Sequence, residues 1–464
     1  MPFDESITGD PFQGDFPDRP SAAGEDDLAA AVQRHGADLA ELRWQPAIRR
    51  HLLRSLQQRR PGPGSTAAVT RFDVLPGEEG SELLHVPGEL LITGHSYDGR
   101  SPGARSAGPG AKPYLDAVGM EPQEVDCPAL HGRLLRLTHP DMGPHDLADL
   151  AKTLRARGFT SSLTTITPTA PVTKGFGGLH PVQSPGDFRQ PEGGPGQPAK
   201  VAIIDTGIAD QARTDGWLAG IQGDKDPLDA FPPPNGDGYL DADAGHGTFV
   251  AGIVQQVAPG AQIRTYQAVD SDGIATEIAV ACAMIRAATE DGAQIINLSL
   301  GCHTHDNVPP IAIQAALDII AEWEHAQNTK AVIVAAAGNY GNTVPSWPAA
   351  FRKVVSVAAL TRGLHPAPWS SRGFWVRCST IGQGVHSTYV EGQESPRLTP
   401  SYDFGTNSWA AWSGTSFAAA QVTGALARLH KQNGYSPGEA LRVLLRAGRP
   451  VPQFGRAVKI LGGF

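Results

Sequence analysis

KVAIIDTG, residues 200–207, runs four apolar residues together, ends them on an acid and turns at Thr206 and Gly207. Unbroken apolarity, in place of alternation, suits a strand buried on both faces, and such strands belong to parallel sheets covered by helices. Further strand-like runs follow at QIRTYQAV (262–269), AQIINLSL (293–300), AVIVAAAG (331–338) and VVSVAAL (354–360). Between and after them, apolar residues recur at helical spacing, at about 247–257, 275–291, 309–328 and 416–431. Strands alternating with helices predict an α/β fold of three layers around a mainly parallel central sheet, spanning 199–464.

Upstream the texture changes. Residues 169–198 are dense in Gly, Pro and Gln and read as a linker. Before them, 67–168 alternates short runs: GELLIT (88–93), a short helix near 112–118, RLLRLT (133–138), the amphipathic HDLADLAKTLRARG (145–158) and SSLTTITP (161–168). This predicts a smaller α+β domain. Residues 25–60 show helical spacing interrupted by Pro46, PGPGST (61–66) is a joint, and the acidic 1–24 is expected to be disordered.

Composition narrows the function. The chain has 464 residues, 40% of them hydrophobic and 18% charged, enough for a large core. A net charge of −9 gives no electrostatic support to nucleic-acid binding, and no run approaches the 18 apolar residues that would span a membrane. The first 27 residues carry eight acids, one Arg and no apolar core, unlike a secretory leader. Four cysteines (Cys127, Cys282, Cys302, Cys378) form no C-x-x-C pair and make no disulfide framework. The expectation is a cytoplasmic protein. Arg outnumbers Lys 29 to 9, a hint of GC-rich bacterial coding.

Three residues stand where elements meet: Asp205 at the end of VAIID, His246 in GHGTFVAG and Ser416 in SGTSFAAAQVTG. In open parallel sheets, functional groups gather beyond the carboxyl ends of the strands, where such positions converge. A serine hydroxyl needs a base to become a nucleophile, imidazole titrates near neutrality, and a buried carboxylate fixes the imidazole's tautomer. Taken singly, each residue could equally be a helix cap. Together they predict a nucleophilic triad, with the Ser416 N–H at a helix start available to an oxyanion.

The motifs DTGI (205–208), GHGTFVAGIV (245–254), NLSLG (297–301), AAAGN (335–339) and SGTSFAAAQVTG (413–424), in that order, resemble those of the subtilisin-like serine peptidases, the subtilases. The resemblance implies a seven-stranded parallel sheet and a serine endopeptidase acting on polypeptides. It makes Asp205, His246 and Ser416 the triad and Asn339 the side-chain donor of the oxyanion hole. It makes Ser299, Leu300 and Gly301, with Gly273, Ile274 and Ala275, the edges that pair with extended substrate. Phe249 replaces a usual His, and Ala420 and Gln421 replace a usual Pro-His, none of them a catalytic group.

Residues 88–168 more faintly resemble the subtilase propeptide, a ferredoxin-like unit that assists folding and then blocks the cleft. That would make the N-terminal region an intramolecular inhibitor or chaperone, with 169–198 threaded through the active site and cut there. An independent binding domain is the other reading. No cofactor is required. Calcium, which subtilases often bind, has candidate ligands in Asp237, Asp241 and Asp243 within the acidic loop before His246, unless that loop is simply solvated. GCHTHD (301–306) carries soft-metal ligand types, or is a loop flanking the cleft. The rival functions are a catalytically silent peptide-binding pseudoprotease and an esterase using the same triad.

Overall fold

The structure, a computed structural model, describes residues 70–78, 81–99, 109–169, 180–185, 196–230, 237–396 and 401–461, with Leu53, Leu56, Gln57 and Gly193 as isolated positions. The expected acidic tail, nearly all of the expected segment 25–60 and most of the linker 169–198 lie outside the described residues. So does the amino terminus, on which the cytoplasmic expectation rests.

The apolar runs become strands at Lys200–Asp205, Gln262–Gln267, Ile295–Leu298, Val332–Ala336 and Val354–Leu360. They are the middle of a nine-stranded sheet. Its order is Arg449–Val451, Gly455–Ala457, Cys378–Ile381, Val354–Leu360, Val332–Ala336, Ile295–Leu298, Lys200–Asp205, Gln262–Gln267, Gln222–Gly223. Every neighbouring pair is parallel except the first, an antiparallel hairpin. The count exceeds the seven strands implied by resemblance, and three of the nine are short edge strands of two or three residues.

Alternation along each strand sorts the core into two faces. Val201, Ile203, Val334 and Val357 point to the side covered by helices His246–Val257 and Thr415–Asn433. Ala202, Ile204, Ile296 and Ala335 point to the side covered by Glu277–Thr289 and Ile311–Gln327. This is a subtilisin-like α/β arrangement of three layers. A further helix, Pro437–Ala447, opens on a capping box in which Ser436 and Glu439 satisfy each other's backbone N–H; such a cap contributes about 1 kcal/mol.

The N-terminal part folds around its own core of Leu83, Leu90, Ile92, Leu115, Leu137, Leu147, Ala151, Leu154 and Leu163. Its sheet is antiparallel: Glu82–Thr93 pairs with Asp73–Pro76, Leu134–Thr138 and Ser161–Thr165, and Glu121–Glu124 lies beyond Leu134–Thr138. The outer strand, EPQE, is exposed throughout and gave no apolar signal. Leu91, Val125, Cys127, Leu130 and Leu134 pack into the same core as helices Glu277–Thr289 and Ile311–Gln327. At the rim, Arg133 pairs with Glu322 at 2.6 Å and Arg155 with Asp306 at 2.7 Å. All four cysteines are free, and no helix among the described residues is long and apolar enough to cross a membrane.

Candidate active site

Asp205 is the last residue of its strand and His246 the first of its helix, so both face the carboxyl edge of the sheet. Two glycines allow the helix to start there. Gly245 takes a left-handed φ of 79°, and a Cβ on Gly247 would come within 2.2 Å of the Gly207 carbonyl. The imidazole Nδ1 then lies 2.7 Å from Asp205 Oδ1, to which it donates in the tautomer this network assigns. The Thr206 N–H also donates to Asp205 Oδ1, at 2.8 Å.

A second acid holds the bracket together. Asp226, 3% exposed, accepts from Thr206 Oγ1 (2.7 Å) and from the N–H groups of Gly245 (2.9 Å) and Leu228 (2.9 Å). Thr206 Oγ1 in turn accepts from the Gly247 N–H. The residues on either side of His246 are therefore tied to the residue after Asp205. Nothing in the sequence sets Asp226 apart from the other acids between residues 224 and 243. Burial pushes its carboxyl up to about 6, partly offset by these donors.

Ser416 is the second residue of helix Thr415–Asn433 and is fully buried. Its hydroxyl donates to the Ser299 carbonyl at 3.0 Å. His246 Nε2, also buried, has no hydrogen-bond partner. The structure thus joins Asp205 to His246 and leaves the Ser416 hydroxyl resting on another acceptor. Trp412 and Phe417 flank the imidazole, with ring centroids 5.6 and 5.5 Å away. Phe249 packs on Phe417 at 4.6 Å, so the residue in place of the usual His builds the apolar wall behind the imidazole.

Asn339 is aimed by its neighbours. Its Oδ1 accepts from the Thr415 N–H (3.0 Å) and Oγ1 (2.9 Å), and Thr415 Oγ1 accepts from the Gly338 N–H (3.0 Å). The amide nitrogen Nδ2 is left buried and without a partner, beside Gly414. A buried donor with nothing to bond costs about 1–3 kcal/mol, a penalty that an arriving oxyanion removes.

Charge at the imidazole follows from its surroundings. Burial pulls its proton affinity down, but Asp205, through charge and hydrogen bond, with Asp243 and Asp226, outweighs burial and the net shift is upward. Burial, with the nearby Glu277 charge, drives the Cys302 thiol well above its usual range.

The two segments expected to pair with extended substrate line one cleft, and part of this chain lies in it. The Thr167 N–H donates to the Ala275 carbonyl (2.8 Å), the Thr169 N–H to Gly273 (3.0 Å), and the Gly301 N–H to Pro168 (3.0 Å). Bridges join Ile166 to Thr276 and Thr169 to Leu300. Glu277, at the start of its helix, accepts from the Thr165 N–H and the Ala312 N–H, both at 2.8 Å. No local signal in the sequence distinguishes Glu277 from an ordinary helix-opening acid.

The acids weighed as calcium ligands are engaged elsewhere. Asp241 accepts from Ser271 Oγ and the Ala230 N–H, Asp243 from Thr169 Oγ1, and Asp237 from the Tyr239 N–H. No group of three His, Cys, Asp or Glu side chains among the described residues could hold a metal ion. In GCHTHD, the Cys302 and Trp347 backbones exchange hydrogen bonds and His303 stacks on Tyr340 at 3.8 Å, so the segment packs as a loop.

Comparison with known proteins places this chain in a class. The model of the subtilase family, peptidase S8, matches residues 196–449. Thermitase of Thermoactinomyces vulgaris is 32% identical over 248 residues, covering 51% of this chain and 76% of thermitase. Subtilisin DY of Bacillus licheniformis is 32% identical over 255 residues, covering 52% of this chain and 80% of its own. The crystal structure of fervidolysin from Fervidobacterium pennivorans, a keratinolytic enzyme related to subtilisin, aligns with a TM-score of 0.52 at 21% identity, over 81% of this chain and 60% of that one; this likeness is one of fold. The class is that of the subtilisin-like serine endopeptidases, which are hydrolases. The chain belongs to the subtilase family.

Proposed function

We propose that Asp205, His246 and Ser416 are the catalytic triad of this endopeptidase, with Asn339 Nδ2 and the Ser416 N–H as the oxyanion hole. The 2.7 Å contact between His246 Nδ1 and Asp205 Oδ1 at the mouth of the sheet carries this reading. The unpartnered His246 Nε2 and Asn339 Nδ2 support it.

In the first step the Ser416 hydroxyl turns from the Ser299 carbonyl to His246 Nε2. Its proton passes to Nε2 as Oγ bonds to the substrate carbonyl carbon, and the C=O electron pair moves onto oxygen. Asn339 Nδ2 and the Ser416 N–H hold that oxyanion. When the carbonyl reforms, the C–N bond breaks and the imidazolium gives its proton to the departing amine. Water then repeats the sequence on the acyl-enzyme and releases the acid and Ser416. Asp205 stays ionised throughout, holding the tautomer and stabilising the imidazolium.

The substrate is an extended polypeptide that adds as a strand to residues 273–275 and 299–301. The N-terminal domain acts as an intramolecular inhibitor with a ferredoxin-like, propeptide-like fold. Two observations support this: four of its five strands run in the order Ser161–Thr165, Glu82–Thr93, Leu134–Thr138, Glu121–Glu124, all antiparallel, and residues 166–169 occupy the cleft.

Labelling with a fluorophosphonate tests the triad. Wild type is expected to label at Ser416 and to hydrolyse casein once the N-terminal segment is displaced, and Ser416→Ala is expected to do neither. A protein that binds peptide yet never labels is a pseudoprotease, and one that cleaves small esters but no peptide is an esterase. Either result overturns the proposal.

A further inference from the structure

The hydrogen bonds that seat residues 166–169 are mainly those of backbone; Thr167 Oγ1 and Thr169 Oγ1 add long contacts of 3.5 Å to the Ala275 and Gly273 carbonyls, and one short bond joins two side chains. Thr169 Oγ1 donates to Asp243 Oδ2 at 2.6 Å, with Thr169 1% and Asp243 2% exposed. Asp243 is also tied to the backbone of His246, whose N–H its carbonyl accepts at 3.0 Å. Across the pocket is Gly273, whose carbonyl takes the Thr169 N–H. A Cβ on Gly273 would lie 2.0 Å from Asp243 Oδ2 and 2.5 Å from Thr169 Oγ1. The slot is therefore just large enough for a short side chain, and its base is a carboxylate oxygen.

We infer that Asp243 is a specificity residue, selecting threonine or serine at the substrate position that bonds to Gly273, in the enzyme's own strand and in the polypeptides it cuts. The inference rests on the triad reading only for its substrate half. A carboxylate oxygen buried against a methyl group loses a hydrogen bond that water cannot replace, so valine, the same shape without the hydroxyl, is disfavoured. Lysine and arginine could reach the carboxylate chemically, but the slot that closes over Thr169 leaves their methylene stems no room.

Two measurements on the full chain test this. The first follows amide hydrogen exchange at Thr167 and Thr169, which needs no catalysis. Exchange is expected to quicken at least about tenfold in Thr169→Val and to stay near wild type in Thr169→Ser. In an Asp243→Ala background, Thr169→Val should change it no further. The second compares kcat/KM for a chromogenic amide of residues 165–170 and for the same compound with Val in place of Thr169. The threonine compound should be cut at least about tenfold better by wild type, a ratio that falls towards one in Asp243→Ala, whatever that change does to the absolute rate. Exchange that ignores Thr169→Val, hydrolysis that does not distinguish the two compounds, or a preference for lysine at this position overturns the inference. Exchange that responds while neither compound is cut by wild type upholds the Thr169 and Asp243 bond and fails the triad reading instead.

Discussion

Ser416 and Ser299 exchange hydrogen bonds: each hydroxyl donates to the other's carbonyl, both at 3.0 Å. Ser299 Oγ also reaches Asn297 Oδ1 at 2.9 Å, and Asn297 Nδ2 donates to Thr423 at 3.0 Å, so the strand and the helix that carries Ser416 are knitted across the buried interface. The single Ser299 hydroxyl hydrogen serves both the Ser416 carbonyl and Asn297 Oδ1, so removing it leaves a buried acceptor short of a donor. Ser299→Ala is expected to lower the unfolding free energy by about 1–3 kcal/mol, read from urea denaturation.

Asp205→Asn removes the charge that keeps the His246 proton affinity high and the bond that sets its tautomer. The expected loss in kcat is roughly 10⁴-fold, the size known from subtilisin itself. The base must be neutral to act, so activity rises with pH through the His246 titration, which in wild type lies above the ordinary imidazole value. In Asp205→Asn that rise should move to lower pH, and a kcat/KM profile against pH checks it.

Asn339→Ala deletes a donor that touches nothing before the reaction. The expected result is a fall of about 10²–10³ in kcat with little change in KM, the range known for the corresponding donor in subtilisin. A matching rise in KM would mean that Asn339 binds the ground state instead.

Glu277 links stability to pH. Burial, only partly offset by the Thr165 and Ala312 donors, holds its carboxyl up at about 7, against an ordinary value of 4.5. The fold therefore favours the protonated form. That contribution, about 3 kcal/mol by linkage, is fully present below pH 4.5 and lost as pH rises through about 7. Asp226, held at about 6, acts in the same direction. Unfolding free energy measured across this window should decline in wild type and decline less in Glu277→Gln, which mimics the protonated acid.

Much of the architecture could be read one residue at a time. KVAIID and VVSVAAL are strands over the predicted residues, and the four predicted helices appear within about two residues of their expected ends. Hydrophobic period is a local property and survives folding unchanged. Glu121–Glu124 escaped because nothing in EPQE is apolar; it is a strand only because Leu134–Thr138 offers it a partner.

The site divides in the same way. Asp205, His246, Asn339 and Ser416 were recognisable from their glycine-rich surroundings and their order along the chain. The bracket of Thr206 and Asp226, the seating of residues 166–169 between residues 273–275 and 301, and the grip of Asp243 on Thr169 join positions 20 to 104 or more apart. Hydrogen bonds over such separations leave no periodic trace. Whether the Ser416 hydroxyl faces an imidazole or a carbonyl is a rotamer, set by what packs beside it. Residue types and spacing were enough to propose the reacting groups; only the folded chain could say which donors and acceptors surround each of them, because these find one another through space and not along the backbone.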